Sequence, residues 1–217
     1  MPFITRPFIF SDLLTFFRPW CIIFIKIRFN EDQGVKIGNI LRHLSLVIRH
    51  KNKVMVHCFR CGLIWRGLAH DMSKFTPVEF FESAKYYQGN YSPIVACRRD
   101  KGMSLAWLHH KGRNRHHIEY WLDPECREHP MMPYRFAVEC VCDKLAATKT
   151  YRGKDYKPED ALAHWERSGK KVEGNPRTMR FVEVVFRDLA ERGEGYILNK
   201  RYMKETYKRI CLDGKDT

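Results

Sequence analysis

Apolar residues recur at positions 37, 40, 41, 44, 47 and 48 in "VKIGNILRHLSLVIRH", the 3.6-residue stripe of an amphipathic helix. The same period continues through "KVMVHCFRCGLIWRGLA", as a second helix or as a bent extension of the first, and ends between Gly67 and Asp71. Thr76-Pro77 followed by Glu79 places a helix cap, a proline at the first helical position and an acid two residues later, predicting a third helix to about Tyr87. A loop around Gly89, Asn90 and Pro93 follows. "GMSLAWLHHKGRNRHHIEYWL" then predicts two short helical pieces split near Gly112, and Pro133 opens another over "PYRFAVECVCDKLAATKTY". Two more lie in "KPEDALAHWERS" and "NPRTMRFVEVVFRDLAERG", with starts at Pro158 and Asn175-Pro176 and a stop at Gly193. Strand signals are weak and no repeat is present, so the expected fold class is all-α.

The first 34 residues break the pattern. "RPFIFSDLLTFFRPWCIIFIKIRF" is aromatic and apolar, but Asp12, Arg18, Pro19 and Lys26 interrupt it, leaving nothing near the ~20 apolar residues of a membrane span. No small-residue cleavage site marks it as a secretory signal. An interfacial anchor, a hairpin against the body and a simple extension are all compatible with it. The expected organisation is an apolar extension over 1–34, a helical core over 35–150 and a C-terminal helical segment over 151–217.

Composition changes this picture in two respects. A chain of 217 residues, 44% hydrophobic and 29% charged, can bury one sizeable core without disulfide support, and most of its eight cysteines sit in apolar periodic segments, so a reducing, cytoplasmic setting is expected. The formal net charge is +14, and Arg98, Arg99, Lys101, Lys111, Arg113 and Arg115 face only Asp100 between 98 and 117. That stretch reads either as a solvated basic face or as an attractor of phosphate or nucleic acid.

Several polar residues fit the helices awkwardly. His43 and His50, seven apart, flank the first stripe; His70 and Asp71 end the second segment; His109-His110 and His116-His117 bracket a glycine-containing turn. Asp143 shares a helix side with Phe136, Cys140 and Ala147, where a carboxylate must be paired, neutralised or bound to a cation. One histidine beside an apolar stripe is usually a core residue. Six or more nitrogen and oxygen donors spread over separate helices point instead to a first-row ion such as Mn, Fe, Ni or Zn, with Mg where oxygen dominates. "CFRC" at 58–61 is half of a zinc site or a pair of buried thiols; no second CxxC exists, which favours thiols.

The order His43, His70-Asp71, Asp143 resembles the H…HD…D pattern of the HD-domain superfamily of helical metal-dependent phosphohydrolases, and "HDMSK" resembles its HDxxK form. Within that superfamily the chain looks most like a small uncharacterised bacterial and phage HD-like family carrying "HDMSKF", "AWLHHKGRNRHH" and a later "MPYRF…D" segment, over residues 36–150. The resemblance implies an HD-like helical bundle in which His43, His70, Asp71 and Asp143 hold one ion. It further implies that His110, His116 and His117 serve a second ion bridged by Asp71, with Lys74, Arg113 and Arg115 on the substrate phosphate. Asp71 and Lys74 are its catalytic candidates, and one ion or two are both consistent.

Three functions follow as expectations. The first is hydrolysis of a nucleotide or other phosphate ester, mono- or diester, at a His/Asp metal centre. The second is di-iron oxygenase chemistry at the same residues. The third is non-catalytic nucleic-acid binding by a basic protein with a structural metal, recognisable by a steep salt dependence.

Overall fold

The computed structural model describes residues 35–214 of the chain; the apolar extension expected over 1–34 lies outside the described residues. Ten α-helices and no strand occur among the described residues, an all-α fold. They are α1 (Ile37–Arg60), α2 (Ile64–Ala69), α3 (Pro77–Lys85), α4 (Pro93–Lys101), α5 (Leu105–Arg113), α6 (Tyr134–Arg152), α7 (Glu159–Ser168), α8 (Pro176–Arg192), α9 (Glu194–Ile197) and α10 (Lys200–Tyr207). Short 3₁₀ turns over Met72–Phe75 and Ile118–Trp121 join α2 to α3 and follow α5.

The first stripe runs on into its continuation as one helix of 24 residues, because nothing in 37–60 breaks the backbone ladder, and the rest of the continuation forms the separate α2. The break comes at Gly62, whose φ of 77° is left-handed, a conformation that glycine adopts without the Cβ penalty other residues meet. Helix α3 starts at Pro77 as expected and stops at Lys85. Helix α4 falls where a loop was expected; Ser92-Pro93 starts it and Gly102, with φ 76°, ends it. The split expected near Gly112 comes just beyond it: α5 runs through to Arg113 and a 3₁₀ turn resumes at Ile118. For α8, the Asn175 side chain accepts from the backbone N–H groups of Arg177 and Thr178, at 3.1 and 3.3 Å, satisfying donors that the first helical turn leaves free.

Helix α6 is the hub. It packs along α1 and also meets α2, α7, α8 and α10. Its Phe136, Ala137, Val138, Cys140, Val141, Cys142, Leu145 and Ala146 are all buried, so it is apolar nearly all round, as a central helix must be. The segment after 150 enters the same core through Trp165, Phe181, Phe186, Leu189 and Met203. Each such side chain contributes about 1.5–3 kcal/mol by leaving water, and together they fix α6 against α1.

One polar contact crosses the α1–α6 seam deep in this core. His57, 4% exposed, donates from Nδ1 to the Cys142 carbonyl at 3.3 Å. Burial pushes its pKa down to about 4, against an ordinary 6.5. Between those two pH values the unfolded chain binds a proton that the folded chain does not, so the stabilisation is complete above pH 6.5 and is lost as pH falls towards 4. The buried His43 is lowered to about 4 as well and acts with the same sign. His57→Gln should therefore flatten the stability–pH curve over this window by about 1.4 kcal/mol per pH unit, one linked proton. Denaturant melts from pH 4 to 7 check this; parallel curves for wild type and variant would refute it.

Candidate metal centre

The centre is built on the turn between α2 and α3. Helix α2 ends at Ala69, His70 is extended (φ −54°, ψ 128°) and Asp71 is left-handed (φ 51°, ψ 33°). Asp71 is the single non-glycine residue with positive φ among the described residues. Neighbouring residues on a continuous helix point about 100° apart; the left-handed turn instead swings the two side chains together, with His70 Nε2 3.2 Å from Asp71 Oδ2. Lys51, on α1, holds the turn from below. Its ammonium donates to the Leu68 and His70 carbonyls, both at 2.7 Å, supplying charge and hydrogen bonds at the exposed C-terminus of α2. The 3₁₀ turn then returns Lys74 to Asp71, with Nζ 2.6 Å from Oδ2.

Around Asp71 two clusters of donor atoms form, each with its atoms within 4.8 Å of one another. In the first, His50, His70, Asp71 and Asp143 converge, with His50 Nε2 3.0 Å and His70 Nε2 3.4 Å from Asp143 Oδ1. The second comprises Asp71, His110, His116 and His117, with the Nε2 atoms of His110 and His116 at 3.5 and 3.4 Å from Asp71 Oδ1. Asp71 belongs to both and offers one oxygen to each side. His70 Nε2, His116 Nε2, His117 Nε2 and Asp71 Oδ1 are buried without a hydrogen bond. Buried polar atoms are seldom left in that condition, and here they are imidazole and carboxylate donors converging on shared points. The residues present fit a divalent transition ion.

The electrostatics agree. Burial works against charge on His70, yet Asp71, Asp143 and Glu139 raise its pKa well above the ordinary value. Burial would raise the carboxyl of Asp71, but His70, Lys74, His110 and His116 hold it well below its usual range. For Asp143 burial likewise opposes ionisation and the hydrogen bonds of His50 and His70 overcome it. The carboxylates are thus charged and able to serve as ligands, and a cation held at His70 would displace a proton from it.

A second layer of carboxylates aims the imidazoles. Glu139, fully buried, takes the Nδ1 of His70 at 3.0 Å and lies 3.4 Å from that of His116. Arg66 Nε donates to its other oxygen at 2.6 Å. Glu79 takes His110 Nδ1 at 2.7 Å and His109 Nδ1 at 2.6 Å. His70, His116 and Glu139 also group closely, but both rings meet Glu139 with Nδ1 while turning Nε2 to Asp71. This is the arrangement by which carboxylates fix the tautomer of ligand histidines.

The residues singled out from the sequence fall in different places. His70, Asp71, His110, His116, His117 and Asp143 come together, and Lys74 lies against Asp71. His43 does not join them. It is buried against Phe80 and Tyr87, with ring centroids 5.3 and 6.1 Å away, and His50, two turns later on the same side of α1, stands by Asp143 instead. Arg113 donates from Nε to His109 Nε2 at 2.7 Å, and the Arg115 guanidinium lies over the rings of Tyr120 and Phe136; neither is placed at Asp71. Cys58 and Cys61 are buried thiols, Cys61 Sγ lying 3.9 Å from Cys142 Sγ. Sequence reasoning missed Lys51, Glu79 and Glu139. Glu139 did carry a signal, since it precedes Asp143 by one helical turn on an apolar helix.

Residues 39–188 match the model of a family described as Family of unknown function (DUF5662). No curated protein and no solved structure matches the chain.

The role of Lys51 generates a prediction about the turn itself. Lys51→Met keeps most of the stem's packing but removes both hydrogen bonds to the Leu68 and His70 carbonyls. Charged hydrogen bonds of this kind are worth about 1.5–3 kcal/mol, and part of that is recovered by water because the ammonium is half-buried. The metal-free variant should lose about 2 kcal/mol in denaturant melts. A loss below a few tenths would show that the turn does not depend on this anchor.

Proposed function

The chain belongs to this family, and we propose that it is a metal-dependent phosphohydrolase or phosphodiesterase of the HD type, acting on a nucleotide or another phosphate ester. The observation that carries the proposal is the one carboxylate, Asp71, shared by two clusters of histidine and aspartate donors with a lysine against it. The H…HD…D resemblance supports it once its first histidine is His50 rather than His43. In this reading His50, His70, Asp71 and Asp143 would hold one ion and Asp71, His110, His116 and His117 a second. Bound there, divalent ions such as Mn, Fe, Ni or Zn would supply an activated water and a clamp for phosphoryl oxygens.

The chain's own residues would do the rest. Lys74, Asp143 and His117 are the partly open residues of the site, the Lys74 and Asp143 side chains at 27% and 15% exposure, so the substrate phosphate would enter past them. The Lys74 ammonium is compact and fixed by Asp71, and would neutralise charge developing on the phosphoryl group. Glu139 and Glu79 would keep the histidine protons on Nδ1, leaving Nε2 as the donor nitrogen towards the ions. The net charge of +14 would draw anionic substrates to the site. The unpaired state of the cysteines among the described residues supports a reducing, cytoplasmic setting.

The test begins with elemental analysis of the purified protein, followed by a panel of phosphomonoesters, phosphodiesters and nucleotides assayed with the metal found. Asp143→Asn preserves volume and one oxygen but removes a charge that offsets the ion. It should abolish turnover, lower the metal content and leave a folded helical protein whose melting no longer responds to chelator. If Asp143 were only an ion-pair partner, the same change would cost about 3–5 kcal/mol of stability and leave the metal in place. Lys74→Met should keep the metal and reduce turnover by about 10²–10³-fold, the usual loss for one charge-stabilising donor. Ferrous-dependent oxygen uptake without phosphate release would redirect the assignment to an oxygenase, and salt-sensitive nucleic-acid binding without any turnover would redirect it to a binding protein.

A further inference from the structure

We propose that Glu139 is a positioning residue shared by both halves of the metal centre and that Arg66 is its outer support, so that a partly exposed arginine helps to set the affinity of both ion sites. The inference rests on reading the two clusters as a metal centre. One carboxylate oxygen, Glu139 Oε1, faces Nδ1 of His70 at 3.0 Å and Nδ1 of His116 at 3.4 Å. Of these two imidazoles, His70 belongs to the first cluster and His116 to the second, and their ring centroids are 4.6 Å apart. Glu79, by contrast, meets His110 and His109, of which His110 alone belongs to a cluster.

The other carboxylate oxygen is committed too. Arg66 reaches Glu139 Oε2 with Nε at 2.6 Å and with its terminal nitrogen at 2.5 Å, two charge-assisted contacts on one oxygen that hold that oxygen in place. The Arg66 guanidinium also lies over the Phe136 ring, 4.8 Å from its centroid, one helical turn before Glu139 on α6. The Arg66 side chain is one-third exposed while that of Glu139 is wholly buried. A line of contacts therefore runs inward from Arg66 to Glu139 and divides there, one branch to each cluster.

A direct ligand role for Glu139 fits this geometry poorly. An ion held jointly by Glu139, His70 and His116 would lie on their Nδ1 side, against the Arg66 guanidinium and away from Asp71. Instead Glu139 accepts from Nδ1 of His70 and lies 3.4 Å from Nδ1 of His116, so that the Nε2 atoms of both rings face the carboxylate the clusters share. A carboxylate serving two ligands of different ions must weaken both ions when it is lost.

Titration with Co(II), followed by its visible absorption and by calorimetry, tests this on the full chain. Wild type should take two ions. Glu139→Gln should weaken both by about 10–100-fold, the usual effect of removing such a partner, with the melting temperature of the chelated protein as the reference for its fold. Arg66→Met should shift both affinities in the same direction by a smaller factor, and Arg66→Lys should restore part of the loss. His117→Ala, confined to the second cluster, should affect one ion alone. Loss of one ion in Glu139→Gln with the other unchanged would identify Glu139 as a ligand and overturn the proposal. So would a folded Arg66→Met protein with both affinities unaltered, and that variant decides the matter if Glu139→Gln does not fold. A wild type that binds one ion refutes the shared role alone, whereas one that binds none removes the metal centre itself.

Discussion

A buried negative charge governs this molecule. The Asp71 carboxylate is 2% exposed, and a carboxylate so far from water costs several kcal/mol unless cations or hydrogen-bond donors surround it. Its compensation arrives from widely separated parts of the chain: Lys74 from the following turn, His70 from the preceding residue, His110 from the end of α5 and His116 from the turn after it. Each donor is held in place by its own backbone element, so the positions of α2, the 3₁₀ turn after it and α5 are all tied to this one group. The same requirement extends outward through Glu139 and Glu79, which are buried acids whose burial is tolerated because histidines and Arg66 meet them. Glu139 shows the balance: burial would raise its pKa, and the hydrogen bonds of His116 and His70 lower it to about 2.

The division of labour along the chain follows. Helices α7 to α10 place no residue in either cluster, yet Trp165, Phe181, Phe186 and Leu189 fill the core behind α6. Helix α6, against which α7, α8 and α10 pack, carries both Glu139 and Asp143. Polar groups in the clusters contribute little net stability to an ion-free chain, whereas burial of these large apolar side chains contributes reliably. Helices α7 to α10 are the frame that lets the rest of the described chain hold charges where water is scarce.

Much of this was legible in the amino-acid order. Helical periodicity gave the fold class because amphipathic stripes depend only on neighbours along the chain, and caps such as Asn175-Pro176 act within a turn. The pairing of His70 with Asp71 at a helix end pointed to convergence for the same local reason. Long-range selection was less legible. His43 and His50 share a side of α1, and periodicity alone cannot say which of them meets Asp143; that depends on the level at which α6 crosses α1. Glu79 looked like an ordinary helix-start acid, and Arg113 and Arg115 looked like phosphate binders, until the fold put the first beneath His109 and His110 and laid the guanidinium groups on His109, Tyr120 and Phe136. Helix α4 was hidden because Gly89, Asn90 and Pro93 advertise a loop, and a proline that closes one segment can equally open the next.

The left-handed backbone at Asp71 has a consequence for how this chain can change over generations. Only glycine, asparagine and aspartate enter that conformation readily, and codons for aspartate and glycine differ by a single base. One common mutation therefore leads from a charged turn to an uncharged turn of the same shape, relieving the backbone penalty and the buried charge together. The scaffold is poised beside a version of itself that would fold with less internal conflict and carry no shared carboxylate. Retention of aspartate at this position would then measure selection on chemistry rather than on folding.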